Sequence, residues 1–173
     1  MASSRLLEDV GYQEITVRRV SQASGCNRNS FYYHYDGLED LARKAFLSNA
    51  EGARPLISSL LAGLGGGSAQ DVRPGGDVVA HAERVMLCAR SESPFLRGMV
   101  SELLRDAWFE ELGIDGGRLS ADERVQVEFI FAGLVAILGS AEVATSPYVM
   151  TRLASSPVGQ ASIETLRGMA SKR

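Results

Sequence analysis

"GCNRNSFYYHY", Gly25 to Tyr35, holds one glycine, two asparagines, one arginine, one serine, one of the chain's two histidines and three of its five tyrosines. It holds no acid. Upstream, Thr16 is a fitting N-cap, with Val17, Val20 and Ala23 on one apolar face before Gly25 breaks the helix. Asn27 can cap the next helix, Arg28 to about Tyr33, with Phe31 pointing inward. Two short helices joined by a three- or four-residue glycine turn form the pattern of a helix-turn-helix. The second helix of such a unit enters the DNA major groove.

The residues of this stretch suit that task. Arg28 can pair bidentately with guanine and Asn29 with adenine. Ser30, Tyr33 and His34 offer hydrogen bonds to phosphate oxygens. Tyr32 suits either a base edge or packing. Arg18 can reach phosphate or a base, and Arg19 either makes a contact or stays solvated. Phe31 and Tyr35, four residues apart, would anchor the helix on the core. From Thr16 to Tyr35 there are three arginines and no carboxylate. The whole chain has a net charge of −3, so the basic patch is local.

The 173 residues, 45% hydrophobic, suit one domain of ordinary size or a small module attached to a larger one. Cys26 and Cys88 form neither a disulfide framework nor a zinc ligand set, and each is expected as a small buried apolar residue in a reducing cytoplasm. His81 has no partner at metal-ligand spacing, so no metal or cofactor is expected. No GxSxG, phosphate-loop or paired metal motif supports catalysis. The longest apolar run, Phe129 to Leu138, is too short to span a bilayer.

Leu6, Leu7 and Val10 fall at helical spacing before Gly11. A helix starts near Gly37, with Leu38, Leu41, Ala42 and Ala45 on one face. Pro55 and "GLGGGSAQDVRPGG" (Gly63 to Gly76) punctuate the middle. Helical patterns resume at 77–91, 94–112 and 120–144, with Pro94 and the capping box "SADE" (Ser120 to Glu123) as start signals. A short helix is expected after Pro147 and a last one from Pro157 to Met169. No stretch alternates at period two. The chain reads as all-α, with about nine or ten helices.

"GYQEITVRRVSQASGCNRNSFYYHYDGLEDL" resembles the DNA-binding domain of the tetracycline-repressor (TetR) family. The matching features are Gly11-Tyr12 ending a first helix, Thr16-Val17-Arg18 opening the second, the Ser24-Gly25 turn, Phe31-Tyr32-Tyr33-His34-Tyr35, and Glu39-Asp40-Leu41. The resemblance covers roughly residues 5–50. Leu38 stands where the family usually has a phosphate-reaching lysine, and Ser21 where an alanine is usual. The resemblance implies a DNA-binding domain over residues 1–50 and a helical effector-binding and dimerisation domain over 51–173. It implies DNA contacts from Thr16, Arg18, Arg19, Asn27, Arg28, Asn29, Ser30, Tyr32, Tyr33 and His34. Partners would be double-stranded DNA with a palindromic operator, a second copy of the chain, and a small hydrophobic effector.

Met86, Phe95, Met99, Leu103, Trp108 and Phe131 are core residues first, some of which can line a pocket for such an effector. "FIFAGLVAILGSA" (Phe129 to Ala141) reads either as a central core helix or as a dimer interface. The resemblance favours an interface built from Phe129, Gly133, Ala136 and Ile137 with the stripe Ile163, Leu166 and Met169. The expected function is a dimeric transcriptional regulator, most simply a repressor; the rival is an interaction module with weakened DNA binding.

Overall fold

The computed structural model describes residues 12–64, 76–141 and 148–171. The helix expected around Leu6 to Val10, and most of the glycine-rich segment, lie outside the described residues. Within them the chain forms eight α-helices and two 3-10 turns, with no strand. In chain order these are α1 (Val17–Ser24), α2 (Arg28–His34), α3 (Leu38–Leu64), α4 (Gly76–Arg90), α5 (Pro94–Leu112), α6 (Ala121–Leu138), α7 (Tyr148–Ala154) and α8 (Pro157–Ala170). The 3-10 turns are Tyr12–Glu14 and Gly116–Arg118.

Local chemistry sets most of the boundaries. Pro94 occupies the first turn of α5, where its missing N–H costs nothing, and Ser93 Oγ accepts from Leu96 N at 3.5 Å. Ser120 Oγ accepts from Glu123 N at 3.2 Å while Glu123 Oε2 accepts from Ser120 N at 2.8 Å, completing the expected capping box. Gly113 ends α5 in the left-handed region (φ 69°), where a side chain would be strained. Ile114 N then closes the helix end on the Phe109 carbonyl at 2.8 Å.

Pro55 does not end its helix. α3 runs 27 residues straight through it, about 40 Å of helix. Proline removes one backbone donor and crowds the preceding turn. Here Pro55 sits on the exposed side, while Ala53, Ile57 and Leu61 on the other side are 1%, 4% and 5% exposed. Burying these apolar groups outweighs the local cost. The boundary expected between residues 50 and 51 falls within α3, so one helix belongs to both halves of the chain.

The core lies where α3, α4, α5 and α6 pack together, with α8 closing the bottom. Trp108 and Phe131 meet at 5.4 Å between ring centroids, and Trp108 Nε1 donates to the Ile57 carbonyl at 3.2 Å. Ile163, Leu166 and Met169 do form one stripe on α8, but the stripe faces inward. They are 1%, 0% and 9% exposed and complete the core of a single chain, so they are not available to a partner. α6 stops at Leu138, short of the expected Ala144, and its C-cap Gly139 lies against the end of α4. Cys88 is buried as expected, whereas Cys26 is only half-buried.

Two glycines of opposite consequence follow from this packing. A Cβ on Gly139 would stand 2.5 Å from the Ala89 carbonyl oxygen, a backbone atom that cannot swing away. A Cβ on Gly98, inside α5, would meet nothing within 4 Å. Gly139→Ala is expected to destabilise by about 1–3 kcal/mol, and Gly98→Ala to stabilise by about 0.5–1 kcal/mol through helix propensity. Urea denaturation of both variants measures the two signs.

Candidate nucleic-acid interface

The recognition element is built from its two caps. Thr16 Oγ1 accepts from Arg19 N at 3.2 Å and opens α1. Gly25, at φ 70°, closes it. Gly25 N reaches the Gln22 carbonyl and Cys26 N reaches Ser21's at 3.1 Å, a turn that needs the left-handed conformation glycine supplies. Asn27 Oδ1 then accepts from Ser30 N at 2.7 Å and starts α2. Only Cys26 separates the two caps, Gly25 and Asn27, which fixes the angle between α1 and α2.

Phe31 holds α2 down. It is 2% exposed and contacts Tyr32 edge-on at 5.3 Å and Tyr35 at 5.4 Å. With Phe31 and Tyr35 inward, the rest of the helix faces water. Thr16, Arg18, Arg19, Asn27, Arg28, Asn29, Ser30, Tyr32, Tyr33 and His34 are all exposed. Tyr33 is 84% exposed, far more than a tyrosine retained for packing. Arg28 leans over the Tyr32 ring at 5.6 Å, so the two form one platform rather than separate probes.

The caps qualify some of these groups. Asn27 Oδ1 is committed to Ser30 N. Thr16 Oγ1 accepts from Arg19 N, and its own hydrogen can still donate outward. Arg19 is held by Glu14, at 3.4 Å to the carboxylate and 3.2 Å to the carbonyl. It must leave this exposed pair to reach a phosphate. Arg18 makes no ion pair with the described residues.

One cation escaped the sequence reading. Lys44, on α3, donates to the His34 carbonyl at 3.1 Å and to Asp40 Oδ2 at 2.9 Å, and lies 5.3 Å from the Tyr35 ring centre. It caps the C-terminus of α2, where a cation is favoured by the helix dipole. Asp40 Oδ2 also accepts from Asp36 N at 3.2 Å, so one carboxylate joins the exit of α2 to the start of α3. The i,i+4 spacing of Asp40 and Lys44 was visible in the sequence; the reach back to His34 was not.

Beneath the unit lies a small apolar cleft, partly open to solvent. Tyr12, Ile15, Val20 and Leu38 form one wall, and Leu87, Cys88 and Leu96 the other. Leu38 is half-buried in it, so the side chain packs here instead of pointing at phosphate. Burial pushes the Cys88 thiol up to about 11, which leaves it unreactive at neutral pH. Tyr12 also stacks on Phe95 at 6.1 Å, tying the unit to α5.

The six residues considered for an effector do not converge. Met99, Trp108 and Phe131 are core residues at 4%, 1% and 1% exposure. Met99 and Leu103 line a groove between α3 and α5, crossed by the Arg54–Glu110 and Arg43–Glu102 ion pairs. Met86, Phe95, Trp108 and Phe131 line neither this groove nor the cleft. Among the residues considered for a dimer interface, Phe129, Gly133 and Ala136 face outward on α6 and Ile137 is half-buried. Among the described residues no cluster of three or more histidines, cysteines or carboxylates could hold a metal. No described helix is long and apolar enough to cross a membrane.

Two outcomes follow. Ser21 Oγ, on α1, is buried without a hydrogen-bond partner. Ser21→Ala is expected to stabilise the fold by about 1 kcal/mol, read as a higher Tm. The hydrogen bond from Lys44 holds the Asp40 carboxyl below its usual 3.8, and the same bond raises Lys44 above 10.5. The Asp40 contribution is therefore present above the usual carboxylate range and lost as pH falls through its lowered value. Lys44's is lost only as pH climbs past its raised value. Lys44→Met is expected to move the acid limb of the stability profile to higher pH; denaturation midpoints across about pH 2–5 read the shift.

Residues 1–45 match the family model of bacterial regulatory proteins, tetR family. No curated protein and no solved structure matches the chain. The matched segment contains α1, α2 and the first turns of α3, the same residues that build the exposed recognition face. By this match and this geometry, residues 1–45 carry a helix-turn-helix DNA-binding domain of the kind found in bacterial regulatory proteins of the tetR family.

Proposed function

We propose that the protein is a homodimeric repressor that reads a roughly palindromic operator and releases it when a small hydrophobic effector binds. The observation that carries this reading is the outward face of α2, where Arg28, Asn29, Ser30, Tyr32 and Tyr33 stand exposed on a capped, acid-free helix. Arg28 and Asn29 lie at its N-terminal end, the end that contacts base edges. Tyr33 and His34 flank it, where phosphates run. Such a regulator works in the cytoplasm, beside the DNA.

Dimerisation is supported by an apolar face with no partner among the described residues. Phe129 is 75% exposed, Val125 69% and Val158 65%. Val125, Phe129, Ala132, Gly133 and Ala136 recur at helical spacing on α6, and the small residues among them permit close helix approach. Two copies of this face would bury it and give the assembly two recognition helices, one per half-site.

Three arginines per chain, about six per dimer, predict that log K falls by up to about five units per tenfold rise in salt. Arg19→Ala should lose less than Arg18→Ala, because Arg19 must give up Glu14 to bind. Arg28→Ala should cost about 1–3 kcal/mol per half-site and relax preference at one base pair. Tyr33→Phe should weaken all sequences alike. Fluorescence anisotropy with DNA upstream of the protein's own gene, at two salt concentrations, measures all four. A flat salt response would favour the interaction-module reading. Phe129→Glu should give a monomer in analytical ultracentrifugation with stability within about 0.5 kcal/mol, as expected for an exposed site; a persistent dimer would overturn this interface.

A further inference from the structure

The cleft under the helix-turn-helix has one polar corner. Arg84 and Asn49 stand at its edge, and the remainder of the lining is almost wholly apolar. Asn49 Nδ2 donates to the Ala45 carbonyl at 2.6 Å, which fixes the amide's orientation. Its oxygen accepts from Arg84 at 2.9 Å and faces His81 Nδ1 at 3.0 Å. A carbonyl oxygen cannot donate, so His81 carries its proton on Nδ1. Three groups thus hold one another in place, and all of them are half-buried.

This arrangement leaves a charge unanswered. Among the described residues no carboxylate lies within ion-pair distance of Arg84. Its guanidinium has five N–H donors in a planar fork. One of its nitrogens is engaged by Asn49, a neutral partner that positions it without neutralising it. A half-buried cation beside an apolar cleft is matched by an anion with a hydrocarbon tail, since a carboxylate accepts the fork bidentately while the tail removes apolar wall from water.

We propose that this cleft binds a small apolar monocarboxylate, with its carboxylate on Arg84 and its tail between Leu38 and Leu87. The inference rests on the effector-responsive reading and locates the effector. Ile15, Val20 and Leu38 belong to the DNA-binding unit, while Leu87 and Leu96 belong to the body. An occupant touching both walls has a different affinity for each relative placement of the two, which is the condition for shifting between them. The site adjoins the Met99–Leu103 groove only at Phe46, and that groove's own cations are paired with Glu102 and Glu110.

Octanoate, octanol and methyl octanoate serve as probes in isothermal titration at neutral pH. Octanoate is expected to bind at least about tenfold more tightly than the two uncharged probes. Arg84→Gln should abolish that preference while leaving octanol unchanged, and Ala45→Phe, which fills the cleft, should weaken both. Equal binding of octanoate and methyl octanoate by the wild-type chain would overturn the proposal without recourse to a variant. So would an octanoate affinity unaffected by Arg84→Gln or by Ala45→Phe. Operator anisotropy with and without octanoate provides the second arm. Binding that follows this pattern but leaves operator affinity unchanged upholds the site and sinks effector release; a loss of operator affinity that Arg84→Gln cancels upholds both.

Discussion

Phe46, Ala50, Ala53, Ile57 and Leu61 lie along one side of α3, and burying that seam fixes where the DNA-binding unit stands. The first residues of the helix belong to the recognition unit, and its last turns belong to the core. A helix cannot rotate at one end and not the other without breaking its own backbone hydrogen bonds. Once Ile57 and Leu61 are packed, the direction in which Leu38 and Leu41 point follows from the helical repeat. The Trp108 indole on the Ile57 carbonyl holds this register at the centre of the body. The tolerance of Pro55 has the same origin: the seam is worth more than one missing donor.

The charges are sorted by the same geometry. α2 has no acid on its exposed face, and two carboxylates near it, Asp40 and Glu14, are turned to other work. Asp40 ties the exit of α2 to α3, and Glu14 holds Arg19. The Arg19–Glu14 pair is exposed and therefore weak, so a phosphate can compete for Arg19. Lys44 differs, because its ammonium serves two partners and a ring at once. It orients the end of α2 and is less ready to leave. Electrostatic order at this surface thus comes from which cations are already engaged, and net charge says little about it.

Features with a short hydrogen-bonded cause were legible in the sequence. Thr16, Asn27, Pro94 and the Ser120–Glu123 box each start a helix through contacts within four residues, and each starts one here. The exposed face of α2 was legible too, because Phe31 and Tyr35, four residues apart, were the residues expected to point inward. What failed to show depends on distant residues. The stripe Ile163, Leu166 and Met169 announces a buried face but not what buries it. Pro55 looks like a stop unless the core across from Ile57 is known. Lys44 reaches back ten residues to His34. The six residues expected to line an effector site share size and softness, and the packed core holds three of them, Met99, Trp108 and Phe131.

The cleft was the least legible feature, since its walls come from residues spread between Tyr12 and Leu96 with no common period. It also explains Leu38. A lysine at that position would have to lie along the apolar wall or turn its ammonium outward past the α2–α3 junction. Leucine instead joins Ile15, Val20 and Leu41 in closing the cleft. The same side chain therefore cannot serve both phosphate and the joint between the two halves. In this chain it serves the joint. The coupling between DNA-binding unit and body then rests on the α3 seam, joined by this apolar contact and the Tyr12–Phe95 stack.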